Sequence, residues 1–287
     1  MVTGQENMVT TTNSLQHKDL KLSILISQDG LSFCTLNQKE NTVEYFYSKD
    51  FIDSLDPEKI LDELKIAFKF HLEENIEVRI KDVDVLFANN LYSLVPQVYF
   101  SEDQLTDYLK FNTKILKTDF IAFDELTKLS ANNVYIPYTN INNYLFEKFG
   151  TFNYKHSSTL FIDLCLDQAE KIDASEIVFI HLQTKRFDIC CVRDKQLILA
   201  NSFEYYTSQD FIYFVLFTLE QLKFNTEELQ LLVSGNVSEI DDTYQYLYTY
   251  IKNISFLNTS FLTEKISNLS QKVINPKHNL FLLSNLL

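Results

Sequence analysis

Between His181 and Arg186 the chain sets His181, Thr184, Lys185 and Arg186 within one short run, His181-Leu182-Gln183-Thr184-Lys185-Arg186. Lys185 and Arg186 have the side chains to hold an anion through charge-assisted hydrogen bonds. The same run also reads as an ordinary polar turn between two strands, because chain reversals at the surface favour polar residues. His156-Ser157-Ser158-Thr159 invites a second reading, a histidine that activates a serine. Residues so close in sequence seldom reach that geometry, and nucleophilic triads draw their members from distant segments, so a loop leading into a strand is the simpler expectation. Asp163, Cys165, Asp167 and Asp188 lack the spacing to histidine that a zinc site needs. The five histidines (His17, His71, His156, His181, His278) are scattered. Neither a catalytic residue nor a metal ligand is assigned, and no cofactor is expected.

Composition narrows the chemistry further. With 25 Lys and Arg against 39 Asp and Glu, the net charge is −14. A chain this acidic repels nucleic-acid phosphates, whose affinity comes mostly from Lys and Arg, so no nucleic-acid partner is expected. Only four glycines occur (Gly4, Gly30, Gly150, Gly235), and close approach of backbone to phosphate depends on glycine. A Walker loop and a GxGxxG dinucleotide loop are both absent. The longest strongly apolar run, Phe211 to Leu219, is nine residues, far short of the roughly 20 a membrane span requires, so no membrane insertion is expected. Residues 1–18 read as a flexible polar tail without a secretory pattern. Cys34, Cys165, Cys190 and Cys191 show no CxxC spacing, which suits reduced thiols and a cytoplasmic location.

Alternation of apolar and polar residues predicts strands at Leu22–Ile26, Leu31–Leu36 and Thr42–Tyr47, the first two joined by an Asp29-Gly30 turn. Asp56-Pro57-Glu58 starts a helix carrying Ile60, Leu61, Leu64, Ala67, Phe68 and Leu72 at helical spacing, and Val83–Ala88 reads as a buried strand. The pattern then recurs. A gap-free shift of 154 lays Phe33 on Phe187, Leu36 on Cys190, Val43 on Leu197 and Tyr45 on Leu199. Ile177–Ile180, Phe187–Val192 and Gln196–Asn201 form the second meander, followed by a helix from Ser208 to about Phe224 and a strand Leu229–Ser234. Between the two copies a helix is predicted at Ser101 to about Lys110, an extended segment at Val134–Pro137, a helix at about Asn140–Phe149 and a strand at Thr159–Leu166. Ala131-Asn132-Asn133 and Gly150-Thr151 give the loop signals. The domain boundary is set near Gly150, giving residues 19–150 and 151–287. A helix is expected at about Asp241–Lys252, and Asn275-Pro276 should open a last apolar helix. The 24 Phe and 16 Tyr, with no Trp, exceed one buried stripe at Tyr205-Tyr206, Phe211, Tyr213 and Phe214 and at Tyr244, Tyr246, Tyr248 and Tyr250. Core and contact surface are both open for them.

A duplicated unit of three meandering strands, helix, strand and helix resembles the actin-like ATPase superfamily, which includes actin, sugar kinases, DnaK-type chaperones, FtsA and PilM. The segment Ile177 to Asn201 looks like the second half of that fold. More closely, Gln28-Asp29-Gly30-Leu31-Ser32-Phe33, Val134-Tyr135-Ile136-Pro137 and His156-Ser157-Ser158-Thr159 resemble the Bacteroidetes proteins of domain-of-unknown-function family 3822. The resemblance implies a mixed α/β chain with a duplicated actin-like (ribonuclease H-like) fold: two similar domains, each with a mixed five-stranded sheet and flanking helices.

The resemblance also locates a cleft between the domains, at Asp29, Gly30, His181, Thr184, Lys185, Arg186 and Gly235. Ser27 takes the place of the aspartate in the first phosphate loop. The glycine-rich second loop falls on His181 to Asp188 and has no glycine, and the adenosine loop, Leu232 to Asn236, keeps Gly235 alone. Phosphoryl transfer needs a metal and positioned donors, so the resemblance does not carry ATP hydrolysis with it. Two readings follow: a non-catalytic scaffold or adaptor that binds a protein partner or itself, or a small-molecule binder or atypical transferase using the cleft. A floor filled by Leu182 and Gln183 favours the first, an open polar floor the second.

Overall fold

The computed structural model describes residues 19–72, 74–111, 113–268 and 274–287, so the expected tail, 1–18, lies outside the described residues. The first meander consists of β1 (Leu20–Ser27), β2 (Gly30–Asn37) and β3 (Thr42–Asp50). Helix α1 (Pro57–His71) follows: the Asp56 side chain accepts from the Lys59 N–H, Pro57 sits in the first turn, and Ile60, Leu64, Ala67 and Phe68 form the buried stripe. A short helix α2 (Glu74–Glu77) leads to β4 (Ile80–Ala88). The expected elements to this point are all present.

A small antiparallel sheet is then inserted: β5 (Tyr92–Pro96), helix α3 (Leu105–Leu109), β6 (Ala122–Leu126) and β7 (Ala131–Tyr135), in the order β5-β7-β6. Ala131-Asn132-Asn133 is therefore strand rather than loop. Asn133 is fully buried, and its Nδ2 donates to the Ser158 and Thr159 hydroxyls at 2.9 Å each. That bonding lets polar residues occupy a core position. Helix α4 (Thr139–Phe149) leads to β8 (Asn153–His156) and to α5 (Ser157–Ala169). The segment Thr159–Leu166 is helical, not a strand: α5 buries nine of its 13 residues, so no one-sided stripe marks its period.

The second meander is β9 (Glu176–Leu182), β10 (Arg186–Arg193) and β11 (Gln196–Glu204), followed by α6 (Ser208–Leu222) and β12 (Gln230–Gly235). Helix α7 (Asp242–Tyr250), β13 (Asn253–Phe256), α8 (Ser260–Lys265) and α9 (Leu280–Ser284) complete it. The last helix starts at Leu280, after a turn that follows Pro276, so Asn275 is not its cap.

The two large sheets have one topology, β3-β2-β1-β4-β8 and β11-β10-β9-β12-β13. In each, the first strand lies antiparallel to the second and parallel to the fourth. The pairing refines the internal alignment. Ile24 faces Phe33 as Ile180 faces Ile189, a shift of 156, whereas Val43 and Leu197, paired with Leu36 and Val192, keep the shift of 154. The β10–β11 turn is shorter than the β2–β3 turn by that difference. Because two residues restore the same strand face, the gap-free shift still matched apolar on apolar. Both meanders carry a bulge at the equivalent step, Thr35/Leu36 and Cys191/Val192.

Beyond Gly150, where the sequence sets the boundary, β8 still pairs with β4 in the first sheet. The change of sheet comes after His156, since α5 runs on to the second meander. Between the two sheets lies one shared core. It joins Cys34, Leu36 and Leu86 of the first half to Phe179, Cys190 and Val192 of the second through Phe161, Cys165 and Ala169 of α5 and Leu280 to Leu283 of α9. The four cysteines are buried thiols that form no disulfide. Aromatic residues divide between roles: Phe211 and Tyr244 are buried, whereas Tyr206, Tyr213, Tyr248 and Tyr250 are exposed. Among the described residues no helix is long and apolar enough to cross a membrane.

Candidate functional site

The β1–β2 and β9–β10 turns face one another across the line between the two sheets. By strand pairing Ser27 corresponds to Gln183, Asp29 to Lys185 and Gly30 to Arg186. Two hollows lie between the turns. One, of about 90 Å³, is lined by Asp29, Gly30, His181 and Thr184 together with Asp50 and His278. The other, of about 30 Å³, is lined by Asp29, Lys185, Arg186, Asn90, Glu204 and Tyr206. Six of the seven expected positions therefore converge.

Gly235 does not line either hollow. It stands at the end of β12 with φ +94°, and a Cβ there would lie 2.0 Å from the Leu182 carbonyl oxygen. Its N–H donates to the Lys277 carbonyl at 2.9 Å. This glycine permits close contact between two strand ends, a packing role.

The polar run separates into three environments. Thr184 is exposed at the turn tip. Lys185 reaches across to the first half, where its Nζ donates to the Ile52 carbonyl at 2.7 Å and lies 3.4 Å from Asp53. Asp53 is largely exposed, so this contact is worth at most about 1 kcal/mol. On the facing turn, Asp29 accepts from the Ser54 hydroxyl at 2.8 Å.

Arg186 turns inward and is only 5% exposed. Its Nη2 donates to Gln183 Oε1 at 3.1 Å, and its Nε, buried without a hydrogen-bond partner, lies 3.9 Å from Asp188 Oδ1. Asp188, also buried, accepts from the Ser202 hydroxyl at 2.5 Å and from Gln183 Nε2 at 3.1 Å. The reading of this run as an exposed turn thus fits Thr184, whereas Lys185 is half-buried and Arg186 is buried. A buried guanidinium is stable only with compensating partners, and here Gln183, missed as a polar ligand in the sequence, serves both members.

This charge organises its surroundings. Burial, and then the repulsion of Arg186, lowers His181 and His156 to about 3, so both are neutral at physiological pH. His181 stacks on Phe281 with ring centroids 4.0 Å apart and places Nδ1 3.0 Å from the Ser234 hydroxyl. It is a core histidine, packed away from solvent. Burial raises Tyr138 to about 12 and Tyr92 further still.

His156 and Ser158 do make contact despite their proximity in sequence. His156 caps α5: its Nδ1 accepts from the Ser158 N–H at 3.1 Å and lies 2.6 Å from Ser158 Oγ. With Nδ1 accepting, the proton sits on Nε2, 3.3 Å from Asn89 Oδ1. Both residues are buried and the hydroxyl also accepts from Asn133, so the pair builds a helix start rather than a nucleophile. Asp167 pairs with Lys128 at 2.6 Å; Asp163 lies one turn before it on the same helix, α5, and Asp188 is on β10.

The family model described as "Protein of unknown function (DUF3822)" matches residues 9–254. The chain belongs to that family. Among solved structures, this DUF3822 chain is similar to a Bacteroides thetaiotaomicron protein with actin-like ATPase fold and unknown function. The two share 24% identity, with 84% of this chain and 91% of that chain covered, at a TM-score of 0.74. It is also similar to the PilM–PilN type IV pilus biogenesis complex, at 9% identity, 93% and 97% coverage and a TM-score of 0.60. At these identities the likeness shows the fold: the DUF3822 chain has an actin-like ATPase fold of mixed α/β type. No curated protein sequence is significantly similar to it.

Proposed function

We propose that this DUF3822 protein is a cytoplasmic, non-catalytic actin-like scaffold or adaptor with a degenerate nucleotide site, which binds a protein partner or a second copy of itself. The observation that carries the reading is the buried Arg186 guanidinium between the two facing turns. It sits, with Gln183 and Leu182, where the actin-like resemblance puts phosphates. The hollows beside it hold about 90 and 30 Å³, against the roughly 300–1,000 Å³ of small-molecule sites. The small-molecule or transferase reading requires an open polar floor, whereas the larger hollow, which Leu182 and Gln183 help to line, is smaller than such a ligand needs. A protein of the same fold, PilM, occurs in a complex with PilN, which makes a partner-binding role for this architecture reasonable.

Calorimetric titration with ATP and with ADP in the presence of Mg²⁺ tests the proposal, with light scattering to give the mass in solution. The expected result is no saturable binding tighter than about 100 μM, near −5.5 kcal/mol. Saturable binding below that value overturns the degenerate-site reading and returns the cleft to the small-molecule alternative.

A further inference from the structure

Strand β8 is the outer strand of the first sheet, paired with β4 on one side. The His156 N–H points away from β4 and donates to Asp124 Oδ2 at 2.8 Å. By the period of two, the Tyr154 N–H and carbonyl also face away from β4. No described residue caps them as Asp124 caps His156. Asp124 comes from β6, itself the outer strand of the small sheet. Two open sheet edges therefore meet at His156 and part beside Tyr154.

Both faces of that opening are hollow. On the α4 side a groove of about 350 Å³ is walled by Phe120, Phe146, Phe152 and Tyr154, with Phe120 and Phe146 49% and 61% exposed. On the α5 and α9 side a groove of about 650 Å³ is lined by Lys21, Asp84, Asp124, Lys155 and Asn285. Lys21 is neutralised by Asp84 at 2.7 Å, whereas Lys155 is exposed and has no ion-pair partner among the described residues. Adjacent residues of an added strand would point alternately into these two grooves. At the outer edge of β3 the start of the strand is covered, where the Asn268 side chain bonds the Val43 N–H and carbonyl, each at 2.8 Å.

We propose that the free edge of β8 receives an extended peptide segment of a partner protein by strand addition, with apolar side chains in the phenyl-walled groove and acidic ones beside Lys155. Backbone pairing supplies the affinity of such modes, and alternate pockets supply the selectivity. Acidic residues are favoured on the second face because Lys155 is its exposed charge, whereas the Asp124 carboxylate is already bonded by His156, Thr159 and Tyr135. The proposal rests on the scaffold reading only in expecting a partner, and it uses a surface outside the cleft.

The test is selection of displayed random peptides of about ten residues on the full chain, followed by anisotropy titration of the enriched sequences as labelled peptides. Phe146→Glu changes an exposed side chain of the apolar groove. Tyr154→Pro removes an outward N–H, a change that outer strands tolerate. Enriched peptides should alternate apolar with acidic residues, and each variant should weaken them about tenfold or more. The proposal is overturned if nothing is enriched, or if binding is unchanged in both variants. It also falls if the chain is a dimer that Phe146→Glu dissociates, which would assign the edge to a second copy. Tight ATP binding with peptide binding intact would sink the scaffold reading alone; absence of both would sink this proposal alone.

Discussion

The two halves share a strand order and a bulge position, yet their first hairpins differ in chemistry. In the first half the turn is Asp29-Gly30: the aspartate is half-buried and bonded to Ser54, and the glycine lies close against the Lys49 carbonyl. At the corresponding positions of the second half, Lys185 crosses to the first half and Arg186 is folded inside. The sheets depend on alternation, which many residues satisfy, so the frame persists. The turns depend on individual side chains, and here a buried cation with its own amide and carboxylate partners stands opposite an acidic turn. A shared frame thus says little about shared chemistry.

The sharpest way to break this comparison is to treat the glycines alike. Gly235→Ala should cost about 4 kcal/mol or more, because its φ is +94° and its Cβ would meet backbone at 2.0 Å. Gly30→Ala, with the nearest atom at 3.0 Å and no left-handed φ, should cost about 1 kcal/mol. Equal losses in urea unfolding would show that the two turns are constrained alike. Next in size, Arg186→Met leaves Asp188 buried without its cation and should cost about 3 kcal/mol. Combining it with Asp188→Leu should recover most of that loss, since well-packed apolar replacements of buried pairs are often neutral. A double variant no more stable than the single one would mean that Arg186 acts through packing alone.

A graded effect concerns pH and engages both halves, for His156 ends β8 and His181 belongs to β9. Unfolded histidine titrates near 6.5 and these two near 3, so the unfolded chain takes up protons first as pH falls. Their contribution is complete above about pH 6.5 and is lost progressively toward pH 3. Each should cost about 2 kcal/mol at pH 5. Urea midpoints measured from pH 7.5 to 5 should fall accordingly, and His181→Gln should roughly halve the slope. An unchanged slope in that variant would leave His156, or neither, as the titrating group.

Where apolar residues alternate with polar ones or recur as a stripe, the sequence was informative, even in β1 and β2, which are buried almost throughout. β1 to β3 and α6 combine alternation or a stripe with turn and cap residues, and α6 closes its start with a reciprocal Thr207–Asp210 box. An element with neither pattern was harder. α5 has no polar stripe, and its apolar run reads equally as a strand. Asn132 and Asn133 resemble a loop until Ser158 and Thr159, distant in sequence, supply partners for Asn133. The cleft positions came from the actin-like resemblance, but their burial was not legible: a charge in a turn reads as surface. Only the fold brings Asp188, Ser202 and Gln183 around Arg186. Gly235, placed at the cleft as the one glycine of the adenosine loop, lies against the Leu182 backbone at the end of β12.

Helix α9 lies on the inner face of β1, where the Ser23 hydroxyl donates to the Leu282 carbonyl at 2.9 Å across 259 positions of chain and Lys21 Nζ reaches the Leu286 carbonyl. During synthesis this matters in time. At roughly 5 to 20 residues per second, the wait between making β1 and making its cover is roughly 15 to 50 s. One face of the first described strand to leave the ribosome is thus among the last to be shielded, and the nascent chain would leave Lys21, Ser23 and Leu25 open to chaperones for that time, whereas Leu20, Leu22 and Ile24 on the other face wait only for α1 and α4.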